Sequence, residues 1–220
     1  LFDFYINASI HVALSVFSLT WITLMEYQIP YDYNVLYFVF FSTIVGYNFV
    51  KYSGIAKFHH RRLAAWLKAI QVFSLVCFLL VWYYAFKLNS VSLPYVLGFA
   101  IITFLYAIPI LPKHLYLDSK QNLRNISGLK IYLIAFVWTG VTVFLPLINN
   151  QYSLDYNVVI TGIQRFIFII VLMLPFEIRD MQYDSLKLGT IPQKIGVKRA
   201  KIVGVLLLFA FFCLEFFKSN

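Results

Sequence analysis

The only clustered carboxylates of the chain lie at Glu177, Asp180 and Asp184. A helix that continued through positions i, i+3 and i+7 would place all three within about 60° of one another. Carboxylates this close repel each other unless a cation lies on them, and such hard oxygen ligands suit Mg²⁺ carrying a diphosphate. Arg179 and Lys187 offer an alternative, because they could pair with the same carboxylates on a solvated helix face. The pattern therefore predicts either a metal site or a set of helical ion pairs.

Arg165 is a second unusual charge, because it interrupts a long apolar run. A cation at membrane depth faces the protein interior by default and marks a functional site. It also lies only about eight residues, roughly 12 Å, from one end of the run, so its side chain could instead reach outward to the membrane surface. Both orientations remain open at this point.

The elements that must position these groups are strongly apolar. Of the 220 residues, 61% are hydrophobic and only 12% are charged, and the mean hydropathy is +0.79. This composition excludes a soluble globular chain. Phe, Tyr and Trp make up 20% of the residues, more than lipid-facing helices need, which suggests an internal apolar pocket or a heavy interfacial belt.

Seven apolar runs account for most of the chain. They are apolar on all faces rather than alternating, so they predict helices and not barrel strands. We expect an all-α, polytopic membrane helical bundle with seven transmembrane helices. The runs cover residues 4–25, 33–50, 69–86, 88–112, 131–154, 156–176 with Arg165 inside, and 202–214.

The basic residues predict the orientation of these helices. Of the 18 Lys and Arg residues, 15 follow the second, fourth and sixth runs, whereas the other connections hold mainly acids. By the positive-inside rule the three basic loops and the N-terminus are cytoplasmic, in an inner or plasma membrane. The net charge of +9 is thus a topology signal, and we expect no nucleic acid as a partner.

A block around the carboxylates carries a family resemblance. Residues 177–196 read EIRDMQYDSLKLGTIPQKIG. This stretch resembles the second aspartate-rich motif of the UbiA superfamily of intramembrane prenyltransferases, in which an acid-x-x-Asp-x-x-x-Asp run ends a helix. A turn containing Gly, Thr and Pro follows in that family, then a Gly and the next basic helix. Here Gly189 adjoins Thr190 rather than being spaced from it.

The resemblance implies a fold and an activity. Family members bind a prenyl diphosphate through Mg²⁺ at the aspartates and transfer the prenyl group to an aromatic or other lipophilic acceptor, by way of an allylic cation. Because the family usually has nine helices, residues 1–220 are expected to form a single UbiA-like domain, incomplete at one or both ends. The resemblance implies catalytic roles for Asp180 and Asp184, and Mg²⁺ ligands at Glu177, Asp180 and Asp184.

The family's first motif is degenerate in this chain. That motif typically reads Asn-Asp-x-x-Asp-x-x-x-Asp, and here Asn48 remains while the acids are replaced by Phe49, Tyr52 and Ala56. Lys51 is therefore a candidate to bind phosphate oxygens in place of the missing metal, since Lys is a common phosphate binder; the alternative is a role in topology alone. The full set of predicted substrate-binding residues is Asn48, Lys51, Arg124, Lys130 and Lys187.

Two functions from different classes follow. The first is a Mg²⁺-dependent prenyltransferase that uses a prenyl diphosphate and a lipophilic acceptor within membrane lipids. The second keeps the fold but is a non-catalytic lipid-binding or interaction protein, because half of the expected metal site is absent. A small transporter or channel is a third candidate function with less support, since the apolar runs lack paired ionisable residues. Prenyl length, acceptor and oligomeric state do not follow from the sequence.

Overall fold

The computed structural model describes residues 2–52, 65–107, 128–181 and 190–218. Every regular element in these ranges is helical, which confirms the all-α prediction for this part of the chain. A 3₁₀ turn, Ser90–Ser92, precedes α5, and a π-helical turn, Gly140–Phe144, joins α6 to α7. The helices are α1 (Phe2–Asn7), α2 (Ile10–Glu26), α3 (Tyr33–Tyr52), α4 (Ala65–Ala85), α5 (Leu93–Ala107), α6 (Leu129–Thr139), α7 (Leu145–Asn149), α8 (Tyr156–Asp180), α9 (Ile191–Ile195) and α10 (Val197–Glu215).

Four helical segments of the described chain are long and apolar enough to cross a membrane, which fits a membrane protein. They are Tyr33–Tyr52, Trp66–Ala85, Leu129–Asn149 and Tyr156–Asp180. The other predicted spans coincide with helices that are shorter, Ile10–Glu26 and Ser90–Tyr106, or that begin with several cations, as α10 does. The count of seven therefore stays a prediction.

The first apolar run, predicted as one helix, is broken into α1 and α2. Ser9, between them, has a left-handed backbone with φ 61°, which costs a residue with a Cβ about 1–2 kcal/mol. Its hydroxyl donates a hydrogen bond to Asn48 Oδ1 at 2.9 Å. A buried bond to a residue 39 positions away holds the break in place, and nothing in the apolar pattern of residues 4–25 signals it.

The structured chain divides into two compact units, and α5 and the Leu129–Asn149 segment contribute to both. The first unit comprises Leu1–Gly98 and Leu145–Tyr152. In it α3 packs against both α2 and α4. Its core includes one cluster in which buried Ala13, Ile44 and Cys77 meet Phe40, Phe41 and Phe73 among others. Close packing of apolar and aromatic side chains thus holds these three helices together.

Asp32 lies where three segments between helices of the first unit come together. Its Oδ1 accepts hydrogen bonds from the backbone N–H groups of Asn34 and Val35 and so caps the start of α3. Its Oδ2 accepts from the side-chain amides of Asn149 and Asn150, at 2.9 and 3.0 Å. Asn149 Oδ1 in turn accepts from the backbone N–H of Asn89 at 2.8 Å. The segments that precede α3, follow α4 and end α7 therefore lie together.

The second unit comprises Phe99–Phe144 and Ser153–Asn220, and in it α8 packs against both α6 and α10. Small residues allow close approach. A Cβ at Gly162 would lie 2.8 Å from Cζ of Phe144, and one at Gly140 would overlap the ring of Phe99. The π-helical turn ends two residues before Pro146, which has no N–H to donate to the carbonyl of Thr142.

Candidate functional site

Helix α8 carries two of the predicted metal ligands, Glu177 and Asp180, at its C-terminal end. They lie one helical turn apart, as predicted. Their burial differs sharply: Glu177 is only 2% exposed, whereas the side chain of Asp180 is 32% exposed. A carboxylate is rarely buried without a partner that offsets its charge. Glu177 therefore lies inside the second unit, and Asp180 lies at its surface.

Asp180 forms an ion pair within the helix. Arg179 Nε donates a hydrogen bond to Asp180 Oδ1 at 2.9 Å, and the Arg179 side chain is 67% exposed. The guanidinium also lies over the ring of Phe176, 5.3 Å from its centroid. Arg179 is one of the two cations that the sequence offered as partners of the carboxylates, and the pair it forms joins adjacent residues rather than residues one turn apart. Exposed pairs of this kind contribute little to stability.

The third carboxylate, Asp184, lies outside the described residues, as do Arg124 and Lys187. Lys130 is described and lies half-buried at the second position of α6. Within the described ranges no group of three His, Cys, Asp or Glu side chains could hold a metal ion. Since Asp184 is not among them, the predicted Mg²⁺ site stays a prediction.

The segment after the aspartates has a clear local structure where it is described. The backbone N–H of Thr190 donates to Gln193 Oε1 at 3.0 Å at the start of α9. Pro192 falls in the first turn of this short helix, where a missing N–H costs nothing. Gly196 has φ 82°, a conformation that favours glycine. The Thr, Pro and Gly of the family-like block thus form the turn that leads into α10.

Asn48, predicted to bind substrate, lies in the first unit and is 3% exposed. Its Oδ1 accepts from Ser9, and its Nδ2 donates to Ser74 Oγ at 2.8 Å. The amide therefore joins the break before α2 to α3 and α4. Buried amides need such partners, and the contacts give Asn48 a packing role that the sequence did not indicate.

Lys51, the candidate phosphate binder, has partners at the end of α1. Its Nζ donates to the backbone oxygen of Asn7 at 3.2 Å and lies 3.4 Å from Asn7 Oδ1. The hydroxyl of Tyr52 donates to the same backbone oxygen at 2.8 Å. A cation is favourable at a helix C-terminus, where the last carbonyls have no intrahelical donor. Lys51 and Tyr52 therefore hold the end of α1 against α3.

Arg165 faces the interior of the second unit, because it is only 7% exposed. Its Nη1 lies 3.4 Å from Thr142 Oγ1 in the π-helical turn. The preceding residue, Gln164, is also buried and donates to the backbone oxygen of Phe211 and to Glu215 Oε2, at 3.1 and 3.0 Å. Of the two orientations considered for Arg165, the inward one is observed. The bonds from Gln164 to α10 had no signal in the sequence.

The predicted residues fall into the two units, Asn48 and Lys51 in the first, and Lys130, Glu177 and Asp180 in the second. No protein-family model, curated protein or solved structure matches the chain. Function is therefore inferred from residues 177–196 and from the contacts within each unit.

Proposed function

We propose that this chain is a UbiA-like membrane prenyltransferase, which transfers a prenyl group from a prenyl diphosphate to an aromatic or other lipophilic acceptor. The observation that carries the proposal is the end of α8, where a carboxylate that is 2% exposed, Glu177, is followed one turn later by Asp180. The long apolar helix Tyr156–Asp180 leads up to this position. The family-like block 177–196 continues from it.

These carboxylates fit a hard divalent cation, because they offer oxygen donors one turn apart. Glu177, Asp180 and Asp184 are proposed to hold Mg²⁺, which when bound offsets the charge of the leaving diphosphate. The proposed transfer requires that water be kept from the reacting carbon. When the allylic C–O bond breaks, its electron pair leaves with the diphosphate, and aromatic faces stabilise the cation that remains. Electrons of the acceptor form the new bond, and the acceptor then loses a proton.

The proposed topology has seven spans, with the N-terminus and the three basic loops in the cytoplasm. The asymmetric distribution of Lys and Arg supports it. The hydrogen bonds of Asp32 with Asn149 and Asn150 also support it. They bring together connections that the charge pattern assigns to the same, outer side. The proposed aspartate site at the end of α8 is then cytoplasmic.

The test is a metal-dependent assay on the purified protein. Binding and turnover of prenyl diphosphates of several lengths are measured with and without Mg²⁺, using a lipophilic aromatic acceptor. We expect Asp180→Asn to lower turnover by about 100-fold or more. Asp3→Asn, which removes an exposed carboxylate from α1, is the matched control and should keep full activity. Turnover that is indifferent to both Mg²⁺ and Asp180→Asn would contradict the proposal.

A second candidate, a non-catalytic lipid-binding protein with the same fold, is favoured by one observation. Asn48 and Lys51 lie where the family has its first motif, yet their side chains bind Ser9, Ser74 and Asn7. If Asn48 and Lys51 serve only to make these bonds, the position of the family's first metal-binding motif has a packing role here and binds no diphosphate. Binding of a prenyl lipid that needs no metal, without any turnover, would support this candidate against the first.

A further inference from the structure

Four exposed cations lie at the junction of α9 and α10. They are Lys194, Lys198, Arg199 and Lys201, called the α10 basic cluster below. Nothing in the proposed transfer reaction uses them. Their exposure makes them available to a partner outside the chain.

Within residues 190–218 of the described chain, Glu215 is the one acid, and it pairs with Lys218 rather than with the α10 basic cluster. Residues 185–214 contain no Asp or Glu, and among the described residues none of the four cations forms an ion pair. Lys198 and Arg199 occupy the first turn of α10, which has no acidic residue. The partial positive charge of a helix N-terminus adds to theirs there. The surface is therefore complementary to an anion.

The faces of α10 indicate the depth of the cluster in a membrane. On one side Ala200 is fully buried, and a Cβ at Gly204 would contact Leu174 of α8. On the other side large apolar residues are exposed directly after the cations, among them Ile202 at 51% and Val205 at 66%. Exposed apolar residues belong in the hydrocarbon region, so the cations one turn earlier lie at the level of lipid headgroups.

We propose that the α10 basic cluster is a binding site for anionic phospholipids, whose phosphates it takes as ligands. The four cations lie at headgroup depth, where they can bind the phosphate of such a lipid. The exposed apolar face next to them can contact its acyl chains. The topology role of basic residues requires only their location on the cytoplasmic side. A lipid site adds a measurable preference for anionic over zwitterionic headgroups.

The experiment measures lipid retention by native mass spectrometry of the purified full chain, with equal amounts of phosphatidylglycerol and phosphatidylcholine added. The variant Lys198→Gln/Lys201→Gln removes two charges from the cluster. Lys68→Gln/Lys87→Gln removes two exposed cations elsewhere and is the matched control. We expect the preference for phosphatidylglycerol to fall about fivefold for each cluster cation removed, and to stay unchanged in the control.

A second readout separates loss of the site from loss of the fold. Circular dichroism and the Tm without added lipid should be the same for the wild type and both variants, since all the altered side chains are exposed. Added phosphatidylglycerol should raise the Tm of the wild type and the control more than that of the cluster variant. If the variant does not fold, the same comparison is made with Lys194→Gln/Arg199→Gln. Equal lipid preference in cluster variant and control, or no preference in the wild type, would overturn the proposal.

Discussion

At the scale of single residues, the polar side chains of the first unit bind one another across large distances in sequence. Asn48 joins Ser9 and Ser74, which lie 39 and 26 residues away, and Lys51 reaches Asn7, 44 residues away. Inside a membrane protein each unpaired polar group is costly. These bonds therefore specify which faces of α2, α3 and α4 meet.

Asn48→Leu is a direct test of that role. The substitution keeps a side chain of similar size but leaves the buried hydroxyl of Ser9 and the partly buried hydroxyl of Ser74 without the amide. We expect a loss of about 2 kcal/mol in the free energy of unfolding, measured by thermal unfolding in detergent. Ser15→Ala serves as control, because among the described residues Ser15 Oγ bonds a carbonyl of its own helix, His11 O, at an exposed site. An equal loss in unfolding free energy in both variants would show that the hydrogen bonds of the Asn48 amide add no particular stability.

Lys51→Ala tests two roles of Lys51 separately: its hydrogen bonds to Asn7 at the end of α1 and its proposed contact with phosphate. Because Lys51 Nζ binds Asn7, we expect faster amide hydrogen exchange in residues 2–9 than in the wild type. Asn7→Ala should have a smaller effect on exchange, since it removes only the side-chain oxygen 3.4 Å from Lys51 Nζ and keeps the backbone oxygen that Lys51 binds. The affinity for prenyl diphosphate is measured on both variants. If it is unchanged in Lys51→Ala, the hypothesis that Lys51 replaces the missing metal is rejected.

The sequence shows which residues carry chemistry more readily than it shows what they touch. The burial of Arg165, inside an apolar run, and of Glu177, directly after that run, fits their unusual positions. The pair between Arg179 and Asp180 is local, so the sequence could offer it as an alternative. The partners of Asn48 and Lys51 are not local, and no spacing rule connects residues so far apart. For these two residues only the structure supplies the packing contacts.

At the scale of elements, glycines mark where helices of the second unit approach most closely. Gly162 of α8 lies under the ring of Phe144, at the end of the π-helical turn. The sequence places a long helix here correctly, because apolarity and length decide that. It does not reveal the π-helical turn or the break at Ser9, since both depend on a few local backbone groups rather than on hydropathy.

Gly162→Ala measures this close packing. The added Cβ would come within 2.8 Å of Phe144 Cζ, so the ring must move, at a cost of about 1–3 kcal/mol. Gly98→Ala is the matched control, because among the described residues nothing lies within 4 Å of a Cβ there, and alanine favours the helix. We expect thermal unfolding in detergent to show a lower Tm for Gly162→Ala and an unchanged or higher Tm for Gly98→Ala. The reverse order would contradict the packing described.

At the scale of the whole molecule, apolar runs define helices better than they define spans. Each of the seven runs overlaps a described helix, yet among the described residues only four segments meet both the length and the apolarity needed to cross a membrane. Helix α10 is the sharpest case. Its first turns carry Lys198, Arg199 and Lys201, and its apolar part is correspondingly short. Whether it crosses decides on which side the chain after α10 lies.

Cysteine labelling tests the seven-span topology. With Cys77 and Cys213 replaced by Ala, single cysteines are placed at Ser90, Lys194 and Phe217, all of them exposed positions. If α10 crosses, Lys194 and Phe217 lie on opposite sides, because they stand before and after it. We expect a membrane-impermeant maleimide to label Ser90→Cys and Phe217→Cys in intact cells, and Lys194→Cys only after the membrane is disrupted. Equal labelling of the Lys194 and Phe217 positions would show that α10 lies along the membrane instead of crossing it. Labelling of Lys194→Cys in intact cells would place the α10 basic cluster on the outer side.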